Sequence, residues 1–80
     1  MDFEVLVQLK GEVLDPEGRA IEETLRAQGI DDVAGVFVAK RYVVSFAKDT
    51  KNPDKLIQEI AASYLANPVS QTFKVKRLES

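Results

Sequence analysis

The chain has 80 residues, of which 45% are hydrophobic and 30% charged, and its formal net charge is −2. A chain of this length is expected to form a single domain, residues 1–80, with a small core. Because it contains no cysteine and no histidine, a thiol nucleophile, an imidazole base and a thiolate or imidazole metal site are excluded.

The first predicted elements are a strand and a helix. Residues 3–9 alternate β-branched, aromatic and polar side chains, and this period of two is typical of a strand. Asp15 suits the N-cap of the following helix, and Pro16 suits its first position, where no backbone N–H is needed. Gly29 is placed to end that helix in a left-handed conformation.

The rest of the chain predicts two central strands, a second helix and a last strand. Residues 33–38 and 41–47 are apolar and β-branched, and Ala39-Lys40 between them is expected to be a tight hairpin turn. Asn52-Pro53 repeats the cap-then-proline start of a helix. Residues 72–78 alternate again and predict the final strand.

This order of elements predicts the fold class. Strand, helix, strand, strand, helix, strand is the βαββαβ plan of an α+β, ferredoxin-like two-layer sandwich. The expected architecture is a four-stranded sheet with two helices on one face.

The predicted hairpin has two apolar sides, whereas two helices can cover only one. Val36, Val38 and Val43 fall on the side without helices. An antiparallel sheet with one wet face normally alternates apolar and polar residues. We therefore expect these three residues to form an oligomer contact that buries the other face of the sheet. The alternative is a β-rich surface with tolerable exposure, since single apolar residues at a surface are ordinary.

Other residue patterns predict no catalytic, metal or nucleic-acid site. Asp15 with Glu17 is better explained as a helix start, and Asp31-Asp32 as a turn. The acidic balance disfavours nucleic acid as a partner. No run approaches the ~20 apolar residues of a membrane helix, and acids rather than bases follow Met1. A cytoplasmic protein is the expectation.

Three segments resemble one known family. Residues 13–20 carry the block Leu14, Asp15, Pro16 and Gly18, residues 33–40 read Val-Ala-Gly-Val-Phe-Val-Ala-Lys, and residues 64–69 read Tyr-Leu-Ala-Asn-Pro-Val. Together they resemble the PurS family, the small S subunit of phosphoribosylformylglycinamidine (FGAM) synthase. The resemblance spans essentially the whole chain in the right order.

The resemblance implies a non-catalytic subunit in de novo purine (IMP) biosynthesis. It implies partners, namely a large synthetase subunit that uses ATP and magnesium and a glutaminase subunit that releases ammonia. It also implies that this chain, as a homodimer or homotetramer, bridges the two and assists ammonia transfer. No cofactor and no catalytic activity are expected of the isolated chain, which is an accessory subunit of a ligase.

Two other functions stay open on the residues alone. A small-molecule-binding regulatory module of ferredoxin-like fold could bind an amino acid at a dimer interface. A standalone enzyme would have to work without a recognisable nucleophile, base or phosphate loop.

Overall fold

The sheet is built around the first strand. A computed structural model describes residues 1–78; the predicted domain also includes residues 79 and 80, which lie outside the described residues. Strand β1 (Asp2–Leu9) lies between β2 (Ala39–Ser45) and β3 (Gln71–Leu78), in the order β2-β1-β3, and both pairings are antiparallel. The α+β class is confirmed.

The described residues form three strands, so the prediction of a four-stranded sheet is wrong in this chain. Residues 33–38 form no strand, and Ala39 and Lys40 belong to β2 rather than to a turn. We call the non-helical, non-strand segment 30–38 the arm. No hairpin forms because the arm is hydrogen-bonded to a helix instead of to the sheet.

Both predicted helix starts are confirmed. Helix α1 (Pro16–Ala27) is capped by Asp15, which accepts a hydrogen bond from Gly18 N at 2.9 Å. Helix α2 (Pro53–Ile60) is capped by Asn52, which accepts from Lys55 N at 3.4 Å. Each cap satisfies a backbone donor that has no partner within the first helical turn.

The end of α1 is also as predicted. Gly29 has a φ of 81°, Gly29 N donates to Arg26 O, and Ile30 N donates to Leu25 O. These two bonds form a Schellman motif, for which the left-handed residue is usually glycine. The arm begins directly after this motif, so the motif sets the direction in which the arm leaves the helix.

The core lies between β1 and α2. Its fully buried apolar residues are Phe3, Val5, Val7, Ile57 and Ala61. None of them comes from α1, whose only buried residue is Gly18. The prediction that two helices cover the sheet is therefore wrong for one of them, because α1 packs on the arm and α2 alone covers the core.

The described chain is elongated. Its radius of gyration is 16.4 Å and its extents are 53 × 29 × 13 Å, whereas a compact domain of this length has a radius of gyration of about 12 Å. The excess length follows from α1 and the arm, which extend away from the sheet. We call them together the α1–arm unit.

The side of the sheet that faces away from α2 is not the apolar face that the hairpin predicted. In the observed register, Glu4 lies between Val43 and Lys76, and Leu6 lies between Arg41 and Lys74. Residues directly opposite each other share a face. This face is therefore mostly polar, because β2 lies beside β1, with β3 beyond it, rather than beside the arm.

Candidate functional site

The α1–arm unit carries the conspicuous motif of the sequence, and Asp15 is its central contact. One carboxylate oxygen, Oδ1, accepts from Gly18 N, and the other, Oδ2, accepts from Val38 N at 2.9 Å. The hydrogen bond from Val38, followed by that from Gly18, holds the pKa of Asp15 below its ordinary value, because both bonds favour the charged carboxylate. Asp15 thus caps the helix and holds the arm with one side chain.

A second carboxylate holds the arm two helical turns further on. Val36 N donates to Oε2 of Glu22 at 3.1 Å, while Oε1 of Glu22 lies 3.6 Å from Nη2 of Arg26. The second contact is an i,i+4 ion pair in the favourable order. The arm is therefore held to α1 at two alternate residues, Val36 and Val38.

Gly18 makes this close approach possible. A Cβ built at residue 18 would lie 2.2 Å from the carbonyl oxygen of Val36. No side chain can occupy that position without moving the arm. The Asp-Pro-x-Gly block therefore has a structural role in this chain, since Asp15 and Gly18 seat the arm and Pro16 opens the helix.

The hydrogen bonds leave one edge of the arm unused. In an extended segment, neighbouring residues direct their N–H and C=O groups to opposite edges. Because Val36 and Val38 direct their N–H groups to α1, Gly35 and Phe37 direct theirs away from it. No described residue of the chain bonds these groups.

Large apolar side chains of the α1–arm unit, and Leu14 just before it, are exposed. Phe37 is 85% exposed, Leu14 is 62% exposed and Ile21 of α1 is 41% exposed. Exposed apolar side chains grouped in one region indicate an interaction surface rather than ordinary surface variation. The same side chains cannot pack on the sheet, because α1 is held away from it.

A groove lies beside this surface. It has a volume of about 740 Å³ and is lined by residues 8–15 from the end of β1 and the next loop, by Arg19, Glu22 and Arg26 of α1, and by residues 36–38 of the arm. Two of its carboxylates, Asp15 and Glu22, are already used by backbone N–H groups of the arm. The groove can hold a peptide segment or a small polar molecule, but it brings together no nucleophile with an activating base.

The structure separates the residues that the sequence predicted as one oligomer contact. Val36 and Val38 lie half-buried on the arm beside α1, whereas Val43 lies on β2, 47% exposed. Val43 pairs with Glu4 of β1, and no strand within residues 1–78 lies beside the other edge of β2. The contact itself remains a prediction, since it depends on a second chain.

A third region with exposed apolar side chains lies at the end of α2, where no other described part of the chain packs on them. A π-helical turn (Ala61–Leu65) follows α2, with Ala66 N bonded to Ala61 O at 3.0 Å. Tyr64 in this turn and Val69 just after it are each more than four-fifths exposed. In the sequence, residues 64–69 carried part of the family resemblance but gave no sign of the π-turn, for which no residue pattern is diagnostic.

Sequence reasoning also missed the bonds between α1 and the arm. The available signal was the pair of carboxylates at residues 15 and 22, seven residues apart and hence on one side of a helix.

Within the described residues, no group of three or more acidic side chains is arranged to hold a metal ion. None of the described helices has the length and apolarity to cross a membrane.

Comparison with known proteins gives one consistent result. The family model described as PurS, phosphoribosylformylglycinamidine (FGAM) synthase, matches residues 2–79. The chain is 31% identical over 70 residues to the phosphoribosylformylglycinamidine synthase subunit PurS of Bacillus subtilis, covering 88% of this chain and 83% of that protein.

Solved structures agree with this match. The crystal structure of Methanocaldococcus jannaschii PurS, one of the subunits of formylglycinamide ribonucleotide amidotransferase in the purine biosynthetic pathway, aligns with a TM-score of 0.79, 30% identity and 98% coverage of both chains. A chain in the structure of PurLQS from Thermotoga maritima aligns with a TM-score of 0.75 and 25% identity, covering 96% of this chain and 95% of that one. The fold of this chain therefore matches the folds of these two relatives over nearly its full length.

Proposed function

Because the chain belongs to the PurS family, we propose that it is the non-catalytic subunit that joins the synthetase and glutaminase subunits of FGAM synthase. It is an accessory subunit of this ligase in purine biosynthesis. Residues 1–80 form one PurS-like domain. ATP and magnesium belong to the large synthetase subunit of the complex, which works in the cytoplasm.

The observation that carries the proposal is the α1–arm unit. Asp15, Gly18 and Glu22 hold the arm in place, while Leu14 and Phe37 remain exposed. Holding an apolar surface in one conformation before binding reduces the entropy lost on association. A subunit whose task is to join other chains needs this property, whereas an enzyme site needs a reactive group.

The joining role also fits the chemistry that the family implies. Ammonia released by a glutaminase must reach a second active site before it is protonated or diffuses away. Protein walls that exclude water limit such losses. A small subunit that seals the contact between the two enzymes assists the transfer without a catalytic residue of its own.

A second copy of the chain completes the sheet in this proposal. The free edge of the arm, at Gly35 and Phe37, pairs with the free outer edge of β2 in the second copy. Val36, Val38 and Val43 then lie at or beside one contact, which is formed between chains rather than within a hairpin. Exchange of an identical element about a two-fold axis is a common route to homodimers.

The assembly experiment tests the joining role directly. The tagged chain is mixed with purified synthetase and glutaminase subunits in the presence of glutamine and ADP, and the products are separated by size. We expect one complex that contains all three chains. The proposal is wrong if synthetase and glutaminase associate equally well without this chain and never retain it.

A further inference from the structure

The core of the described chain contains no side chain from residues 11–38. The fully buried side chains of the core come from β1, α2 and the π-helical turn, and the half-buried apolar side chains packed on them belong to residues 42–75. Between residues 11 and 38, Gly18 is the one buried residue, and it has no side chain. Loss of structure in residues 11–38 would therefore leave the packing of the core in place.

The hydrogen bonds of this segment also stay within it or close to its start. The arm is bonded to Asp15 and Glu22, and Val13 N donates to Lys10 O in the turn after β1. Within the part of the chain that the structure describes, no hydrogen bond or ion pair joins residues 11–38 to a later residue. The segment is thus held to the sheet chiefly by the chain itself, where it leaves β1 and where it enters β2.

Helix α1 depends on the arm for its stability. It has 12 residues, and isolated helices of about that length are marginally stable in water. Packing adds little, because Ile21 is exposed and Leu25 is only half-buried. When the arm leaves the two carboxylates, α1 loses the contacts that supplement its own hydrogen bonds. Helix and arm are therefore expected to open together.

We propose that the α1–arm unit opens as one cooperative unit while the sheet and α2 stay folded. Regions with few buried apolar contacts unfold locally at a smaller free energy than the whole domain. The opening also affects self-association, and this consequence rests on the proposed function. An open unit lacks the strand edge at Gly35 and Phe37 that pairs with a second copy. Association with a second copy holds the unit closed, because a partner that binds one state stabilises that state.

Native-state hydrogen exchange of the full chain, at low denaturant and low protein concentration, tests the opening. We expect the amides of α1 and of Val36 and Val38 to exchange through an opening that depends weakly on denaturant, because it exposes less surface than global unfolding does. The amides of β1 and α2 should show the steep dependence of global unfolding. A single steep dependence for all of these amides overturns the inference.

A mild core variant makes the test decisive. Ile57 is fully buried in α2, and Ile57→Val should speed exchange in β1 by roughly fivefold, since it lowers the free energy of global unfolding. Amides of the α1–arm unit should keep their wild-type rates, because their opening leaves the core intact. If Ile57→Val speeds exchange by the same factor in both regions, the unit does not open independently and the inference is overturned.

A second variant tests whether helix and arm open together. Glu22→Ala removes the acceptor of Val36 N, and we expect exchange to rise by roughly fivefold both at Val38 and in the middle of α1. Glu23→Ala, the same substitution at the exposed neighbouring residue, is the matched control and should leave both rates unchanged. A change confined to the amide of Val36 would show that the arm moves without the helix, against the proposal.

Protein concentration separates this inference from the proposed homodimer. We expect exchange in the α1–arm unit to slow as wild-type chain is concentrated through the range in which sedimentation shows association. If Ile57→Val separates the two regions but association leaves exchange in the unit unchanged, the independent opening is supported and the arm contact of the proposed function is wrong.

Discussion

Gly18 and Val36 are in closer contact than any residue with a side chain at position 18 would allow. The carbonyl oxygen of Val36 lies 2.2 Å from the point where a Cβ would stand. The contact joins the first turn of α1 to the middle of the arm. It explains why a glycine, which is a poor helix former, occurs inside this helix.

Gly18→Ala should therefore displace the arm. Alanine gains about 1 kcal/mol in helix propensity over glycine, but the clash is with a backbone atom that no side-chain rotation relieves, and overpacking costs typically 1–3 kcal/mol. We expect faster hydrogen exchange at the amides of Val36 and Val38, with the core amides unchanged. Gly11→Ala is the control, because a Cβ there meets nothing within 4 Å; equal protection in both variants would contradict the role of Gly18.

The Asp15 bonds predict a dependence on pH. The pKa of Asp15 is lowered in the folded chain by the N–H groups of Val38 and Gly18. Its contribution to stability is therefore fully present above the pKa of the unfolded chain and is lost as the pH falls through the lowered folded pKa.

Asp15→Asn is the variant that tests this pH dependence, because asparagine still caps a helix but carries no charge. We expect wild-type chain to have the higher thermal midpoint at neutral pH, and the difference to shrink below about pH 4. A difference that stays constant from neutral to acidic pH would show that the charge of Asp15 has no part in holding the arm.

Val36→Lys should dissociate the homo-oligomer. The substitution places a charge at the proposed contact between chains, and a buried charge without a partner is strongly unfavourable. Sedimentation should report the mass of a single chain for this variant and a larger mass for wild-type chain. Ala62→Lys, at an exposed residue after α2, should leave the mass unchanged. An unaltered mass for Val36→Lys would place the contact elsewhere.

Phe37→Pro tests whether the arm pairs through its backbone. Proline removes the N–H group of residue 37, which the proposed strand pairing uses, and fits an extended segment otherwise. We expect the variant to lose the oligomer. Ala34→Pro is the control, because it removes an N–H group on the edge that faces α1, the same edge as those of Val36 and Val38. The oligomer formed by this variant should have the same mass by sedimentation as that of wild-type chain. The same mass for all three proteins would exclude pairing through this edge.

The sequence predicted local structure well because local structure depends on neighbouring residues. Asp15 and Asn52 cap their helices and Gly29 ends the first one, all within a few residues of the signals that predicted them. The alternation in residues 3–9 and 72–78 also corresponds to strands. A resemblance carried by three short segments was sufficient to identify the family.

The position of the arm was not predictable in the same way. Residues 33–38 have the composition of a strand, and the two-residue link Ala39-Lys40 favours a hairpin. The acceptors that compete for the N–H groups of Val36 and Val38 are supplied by Asp15 and Glu22, far away along the chain. The spacing of the two carboxylates is visible in the sequence, but no local pattern shows that they, rather than a neighbouring strand, bind these N–H groups.

The sequence by itself determined the helices, three of the strands, the absence of thiol and imidazole chemistry, and the family. Only the tertiary structure decided that α1 and the arm leave the sheet, that the side of the sheet opposite α2 is mostly polar, and that Leu14 and Phe37 are exposed. The physical reason is that caps and alternation are set by neighbours in the chain. Which surfaces remain uncovered depends instead on contacts between distant residues, here the bonds from the arm to the carboxylates of Asp15 and Glu22.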